Sequence, residues 1–286
     1  MKIAVLADIH SNYIALKACL EHAEKQGVNQ FIFLGDYIGE CGNPQKTMDM
    51  LYEVRTKYPC YFVKGNKEDC WLGFVKDEGN WLKYGDSITG TLLYQFECRR
   101  EEELHFFESL PISQKVVIDG FPEITICHGS PISNKQSMRD GEEETFIVME
   151  ACETEMILYG HSHRRRIIQH GSKVAYNPGS VGAPMESDGM AQYMILQTTE
   201  NGWEIEYEDV EYDVEGAICA LREEGLDKYA PCWSKITENL LRKGDISHGQ
   251  ILRRAMELCY LETGACNWPD IPERFMEMSL QEHGIR

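Results

Sequence analysis

The sequence predicts an α/β protein with a helical C-terminal part, and three observations carry that expectation. Short apolar, β-rich runs alternate with longer stretches of helical periodicity over roughly the first 210 residues. Several of these runs end in Asp, Asn or His close to a glycine. From about Asp213 to Arg286 the pattern becomes helical. The β-α-β-α-β order at the start implies a mostly parallel sheet flanked by helices.

The first run, KIAVLAD, is apolar and closes on Asp8. NYIALKACLEHAEKQG follows, with Ile14, Leu16, Cys19, Leu20 and Ala23 near helical spacing and Gly27 as a stop. QFIFLGD is the second buried run, a helix is expected near Thr47 to Lys57, and CYFVKGN is the third run. Residues 67–110 interrupt the rhythm with Trp71, Trp81, Tyr84, Tyr94, Phe96, Phe106 and Phe107. They read as a helical insertion near the strand ends, where functional loops of α/β sheets lie. Its aromatics suit a helical core or a platform for a nucleobase.

The strands then resume as KVVID, EITICHG, MILYGH, RRIIQ, KVAYN, AQYMILQ and WEIEYEDVEY. Few helices separate the later ones, which suggests antiparallel neighbours and a second sheet. Glu142, Glu143 and Glu144 mark a helix start, where acid favours the helix dipole. In the last part Ile251, Ala255, Leu258 and Leu261 form one amphipathic face, ended by Pro269 and Pro272. The expected organisation is one domain over 1–212 and a helical extension over 213–286. That extension, with Trp233, Trp268 and Phe275, packs on the core, on a partner or on a second copy.

Composition narrows the function. The chain has 286 residues, 43% of them hydrophobic and 26% charged, which suits a folded globular protein. A net charge of −19 disfavours long nucleic acids and anionic membranes, whose binding relies on Lys and Arg displacing counterions. Eleven scattered cysteines without a C-x-x-C pair point to reduced thiols. No apolar stretch approaches a membrane span, and no secretory leader is evident. A cytoplasmic location is expected.

The chemistry sits at the run ends. Asp8 and His10 lie in ADIHSN, Asp36 in LGDYIG, Asn66 in KGNKED, His128 in ICHGSP, and His161 and His163 in YGHSHR. Parallel strands of one sheet end on one edge, so these side chains converge. Asp, Asn and His together supply oxygen and nitrogen ligands for Mn, Fe, Zn, Ni or Co. Gly35, Gly65, Gly129 and Gly160 allow sharp turns beside them. Taken singly, each motif also reads as a capped turn or a core histidine; the ordered set points to a metal centre.

The set ADIHSNYIAL, FLGDYIGECGNP, VKGNKED, ICHGSP, YGHSH and NPGSVGAP resembles the calcineurin-like metallophosphoesterases. The nearest likeness is to their small bacterial and archaeal phosphoesterase branch, and it covers roughly residues 1–210. The resemblance implies a two-sheet β-sandwich flanked by helices, a four-layer fold with a binuclear centre at the strand ends. One ion would be held by Asp8, His10, Asp36 and His163, and the other by Asp36, Asn66, His128 and His161. Asp36 would bridge. Mn is the expected metal, with Fe, Zn, Ni, Co and Mg as alternatives. The implied reaction is in-line attack of a metal-bridging hydroxide on a phosphodiester or phosphomonoester. Asp36, Asn66, Lys67 and His128 are the implied catalytic set.

One position departs from the pattern. Many family members have His after the metal-binding Asn, and here it is Lys67. A lysine offers a point charge for phosphoryl oxygens but is a poor proton donor to an alkoxide. It could equally face solvent. Substrates with good leaving groups, such as aryl phosphodiesters or phosphoanhydrides, would suffer least. Arg164 is the expected phosphate contact, with Lys64, Arg139, Arg165 and Arg166 as further cations and Asn177 as a loop residue near the site. The partner expected is a small phosphorylated substrate. Two other functions fit the pattern: a nucleotide or dinucleoside polyphosphate hydrolase, and a non-catalytic, metal-containing protein-interaction module. The extension is a candidate surface for self-association.

Overall fold

The computed structural model describes residues 1–76 and 81–286. Residues 77–80 of the expected insertion lie outside that description.

The chain begins β1 (Lys2–Leu6), α1 (Tyr13–Lys25), β2 (Gln30–Phe33), α2 (Pro44–Lys57) and β3 (Cys60–Phe62). Three helices follow, α3 (Asn66–Lys76), α4 (Gly90–Glu97) and α5 (Glu101–Ser109). Next come β4 (Ser113–Val116), β5 (Ile124–Cys127), α6 (Glu143–Ala151), β6 (Met156–Leu158), β7 (Arg165–His170) and β8 (Lys173–Pro178). The hairpin β9 (Ala191–Thr199) and β10 (Gly202–Val210) precedes α7 (Val214–Glu223), α8 (Leu226–Tyr229), α9 (Pro231–Lys243), α10 (His248–Thr263) and α11 (Glu273–Glu282).

The strands form two five-stranded sheets, ordered β10-β9-β1-β2-β3 and β4-β5-β6-β8-β7. Alternation along β1 shows how they stack. Ile3 and Val5 join Ile32, Val63, Ile124, Ile126 and Leu158 in the core between the sheets. Ala4 and Leu6 point the other way and pack with Leu16, Leu20, Met48 and Leu51 of the helices. On the outer face of the second sheet, Ile157, Ile168 and Ala175 meet Met149 of α6. The result is four layers, helix, sheet, sheet, helix, with buried side chains filling both faces of each sheet.

Two expectations about topology need correction. The hairpin β9–β10 does not join the second sheet; β9 pairs antiparallel to β1 in the first. The second sheet does contain the expected antiparallel neighbours, β4 with β5 and β7 with β8, but β5, β6 and β8 run parallel. The helix α6 supplies the crossover between β5 and β6, as a parallel pair requires.

Helices α9, α10 and α11 have a core of their own, with Ile236, Ile251, Ala255, Cys259, Phe275 and Met276. The buried face of α10 is Ile251, Ala255 and Cys259; Leu261 is 75% exposed, contrary to the expected face. Ala217, Ile218 and Leu241 then meet Ile14 and Cys41, which seats the helices on the first sheet's side of the molecule. All eleven cysteines are free. Among the described residues, no helix is long and apolar enough to cross a membrane.

Candidate metal centre

The residues expected at one strand edge come from two sheets rather than one. Asp8, Asp36 and Asn66 follow β1, β2 and β3 of the first sheet. His128 follows β5, and His161 and His163 follow β6, in the second. Because the sheets stack face to face with these ends at one edge, the two sets of turns confront each other.

The turns are sharp. Asp8, His10, Asp36, His161 and His163 all have positive φ, between 49° and 68°. L-residues visit this region at a cost, and clusters of such strain mark functional sites. Gly65 explains one close approach: a Cβ there would stand 2.2 Å from both the amide nitrogen and Oδ1 of Asp36. Glu68 ties the same turns together. Its buried carboxylate accepts from the amides of Gly65 (2.8 Å), Asp36 (2.9 Å) and Tyr37 (2.8 Å).

The ligating atoms gather in two groups. Asp8, His10 and His163 form the first, and Asp8, Asp36 and His128 the second. The Nε2 atoms of His10 and His163 are 2.9 Å apart. Asp8 Oδ1 is 3.6 Å from His163 Nε2. The two oxygens of Asp36 divide between the groups: Oδ2 is 3.7 Å from His10 Nε2, and Oδ1 is 3.5 Å from His128 Nε2. The His161 ring stands edge-on to His128 with centroids 5.1 Å apart, and its amide donates to Asp8.

The donor chemistry fits a divalent cation. His163 Nδ1 donates to the Ala183 carbonyl, and His128 Nδ1 donates to the Leu34 carbonyl at 2.7 Å. Each Nε2 is therefore left with a lone pair. His128 Nε2 then faces Asn66 Oδ1, a second acceptor, at 3.0 Å. Nε2 lone pairs directed into the site are available to a cation, and backbone carbonyls fixing ring tautomers are typical of metal-binding histidines.

The titration behaviour points the same way. Burial pushes His128 and His161 down to about 4 and His163 to about 3, and burial with the nearby His163 lowers His10. All four are neutral, as ligands must be. Burial raises Asp8, with Asp36 adding to the effect, and raises Asp36 to about 6 against the pull of Lys67. Burial and Asp36 also raise Glu68, to about 8, opposed by the three amides it accepts from. Crowded carboxylates of this kind become easier to ionise beside added cations.

Lys67 does not face solvent. Its ammonium donates to Glu40 Oε1 at 2.5 Å, while the indole of Trp233 donates to the other oxygen of Glu40. Burial favours the neutral forms of both partners, but their mutual attraction prevails, so Lys67 is raised and Glu40 lowered. Arg164 lies at the rim of the cleft, where it pairs with Glu186 at 2.6 Å. Asn177 does not present a free group to a substrate. It is fully buried; its amide donates to Gly160 O and Ser162 Oγ, and its oxygen accepts from Gly179 N. It therefore braces the turn carrying His161 and His163. The remaining cations are engaged elsewhere, Lys64 by Asp69, Arg139 by Glu142, Arg165 by Asp209 and Arg166 by Glu186.

Sequence reading missed Glu40, Glu68 and His248. Glu40, Trp233 and His248 line the cleft of about 510 Å³ that contains His10, Asp36, Asn66, Lys67, His161 and His163. Glu68 stood in the motif KGNKED, and its place three residues after Gly65 was the available signal. Glu40 likewise stood in GDYIGE. Nothing local marked His248.

Comparison with known proteins adds the family. Residues 1–201 match the model of the calcineurin-like phosphoesterase superfamily domain. An uncharacterised protein of Methanocaldococcus jannaschii is 29% identical over 234 residues, 75% of this chain and 89% of its own. A metallophosphoesterase from Sphaerobacter thermophilus is similar in structure, with TM-score 0.62, 23% identity, and coverage of 80% of this chain and 99% of its own. A protein of Pyrococcus horikoshii has TM-score 0.71 and 20% identity, covering 86% and 99%. These two structures show a shared fold.

Proposed function

The chain belongs to the calcineurin-like phosphoesterase superfamily, and from that premise we propose that it is a metal-dependent phosphohydrolase using two divalent cations to cleave a small phosphodiester or phosphomonoester. The observation that carries this reading is the division of Asp36 between two groups of ligating atoms, one oxygen toward His10 and one toward His128.

Asp8, His10, Asp36 and His163 would hold one ion, and Asp36, Asn66, His128 and His161 the other. Nitrogen and oxygen donors of this mixture accept Mn, the expected ion, as well as Fe, Zn, Ni, Co or Mg. When bound, such ions neutralise phosphoryl oxygens and lower the pKa of water. The chain's own residues do the rest. The backbone carbonyls of Leu34 and Ala183 fix the tautomers of His128 and His163. Glu68 holds the Asp36 and Gly65 turns in register. Lys67, kept protonated by Glu40, places a positive charge beside Asn66 without giving up its proton. In-line attack by hydroxide, formed from water acidified by the ions, would expel the leaving group as an alkoxide or aryloxide, with no proton supplied by Lys67. Esters with good leaving groups are therefore the favoured substrates.

The test is hydrolysis by protein stripped and reloaded with single metals, comparing a diester and a monoester of p-nitrophenol. Turnover of the diester well above that of the monoester supports an enzyme lacking an acid at position 67. Equal turnover of both means another group assists departure. No turnover with any metal contradicts the proposal.

A further inference from the structure

Arg164, Arg165 and Arg166 stand where the chain enters β7, and the alternation of a strand sends them to two sides. Arg165 turns toward β10, where it pairs with Asp209 at 2.7 Å and lies over the Tyr207 ring. Arg164 and Arg166 turn the other way and line a cavity of about 590 Å³. Arg139, from the loop between β5 and α6, and Arg253, from α10, line it too. Four guanidiniums from three separate segments thus meet around one space, against a single lining carboxylate, Asp140. In a chain of net charge −19 such a concentration of cations runs against the composition and suits an anion.

Two of the four already hold a carboxylate. Arg164 donates to Glu186 Oε1 at 2.6 Å, and Arg166 donates to both oxygens at 2.9 and 3.0 Å. This forked arrangement matches a planar carboxylate. Glu186 stands at φ 57°, a region that L-residues enter at a cost. Its side chain is 51% exposed, and exposed pairs of this kind contribute little to stability, so a competing anion can replace it. Arg139 pairs with the exposed Glu142. Arg253 is exposed and forms no ion pair among the described residues, whereas its neighbour Arg254 is held by Glu257 and Glu282.

The cavity opens beside the proposed metal centre. It shares Ser162, Arg164 and Ser247 with the metal-site cleft, and Arg164 directly follows the proposed ligand His163. We propose that it binds a carboxylate of the substrate, in competition with Glu186, while the phosphoester lies at the metal centre. This assignment rests on the hydrolase function proposed above and gives it a substrate class, small phosphoesters that carry a carboxylate. The overall charge of −19, which disfavours long polyanions, keeps the ligand small.

Calorimetric titration of the full-length, metal-loaded protein, freed of excess ions, tests this with phosphonates that cannot be hydrolysed. ω-Phosphonocarboxylates of increasing chain length are compared with alkylphosphonates of the same length. At the best length the carboxylate should tighten binding about tenfold. Arg166→Gln and Arg253→Gln should each cut that gain about threefold without weakening the alkylphosphonate, and Glu186→Gln, which frees the fork, should increase it. No gain at any length, a gain unchanged in both arginine variants, or one not raised in Glu186→Gln overturns the assignment. So does clearly tighter binding of the α,ω-bisphosphonate of that length, which would make this a phosphate site. Binding is read without turnover, so the two readings fail separately. A carboxylate gain in a protein that hydrolyses no ester keeps the subsite and removes the hydrolase. Hydrolysis of p-nitrophenyl esters without the gain does the reverse.

Discussion

Lys67 donates to Glu40 across 2.5 Å, and Glu40 accepts in turn from the indole of Trp233, which comes from α9. A residue that departs from its family's motif is thereby tied to helices beyond the matched domain. The lysine and the C-terminal part form one device. The half-buried ammonium is balanced by a buried carboxylate, and that carboxylate is fixed by the helical part.

The pair is open to a double-mutant cycle. Removing one partner leaves the other charge uncompensated, whereas removing both does not. Glu40→Gln and Lys67→Met should each lower unfolding free energy, and the double variant should lose less than their sum. A coupling of about 1–2 kcal/mol is expected in denaturant titrations, given that Lys67 is only half-buried. Additivity would show that the contact contributes nothing.

Glu68 is expected to matter for both stability and metal. It accepts three buried amides around the Asp36 turn. Glu68→Ala leaves them unpaired, at a cost on the order of 3 kcal/mol. Weakening the support of a ligand should also lower metal affinity about 10–100-fold. Chemical denaturation and metal titration check the two effects. Wild-type values in both would mean that the turns hold without Glu68.

The C-terminal helices are expected to lose stability in acid through His248. His248 is buried, stacks on Trp233 at 4.6 Å and meets Thr237 Oγ1 at 2.8 Å. Burial pushes its pKa down to about 4, with Glu40 raising and Lys67 lowering it. The unfolded chain takes up this proton near pH 6.5, but the folded chain only near 4. The stability linked to neutral His248 is therefore complete above pH 6.5 and drains away as the pH falls toward 4. Measured on metal-stripped protein, the stability difference between wild type and His248→Asn should shift by about 2 kcal/mol against wild type from pH 7 to pH 4.5. A difference independent of pH would show that His248 is not the group responsible.

The candidate site was legible because each of its residues follows an apolar run. Asp8, Asp36, Asn66, His128 and His161 are all local punctuation, and strand ends gather at sheet edges. What was not legible was long-range. Pairing decides that β9 lies beside β1, and β1 alone does not reveal it. Glu40 looks like any loop carboxylate until Trp233, 193 residues away, is seen to reach it. The expected α10 face fails at Leu261, which is exposed, because Cys259 fills the buried position instead.

The most direct measurement is metal stoichiometry against activity. Stripped protein is titrated with Mn while bound ions and diester hydrolysis are followed together, for wild type and Asp36→Asn. Activity in wild type should rise until two ions are bound per chain, and Asp36→Asn should lose both retention and turnover. Full activity at one ion, or an Asp36→Asn variant with wild-type metal content and turnover, would contradict a two-ion centre bridged by Asp36.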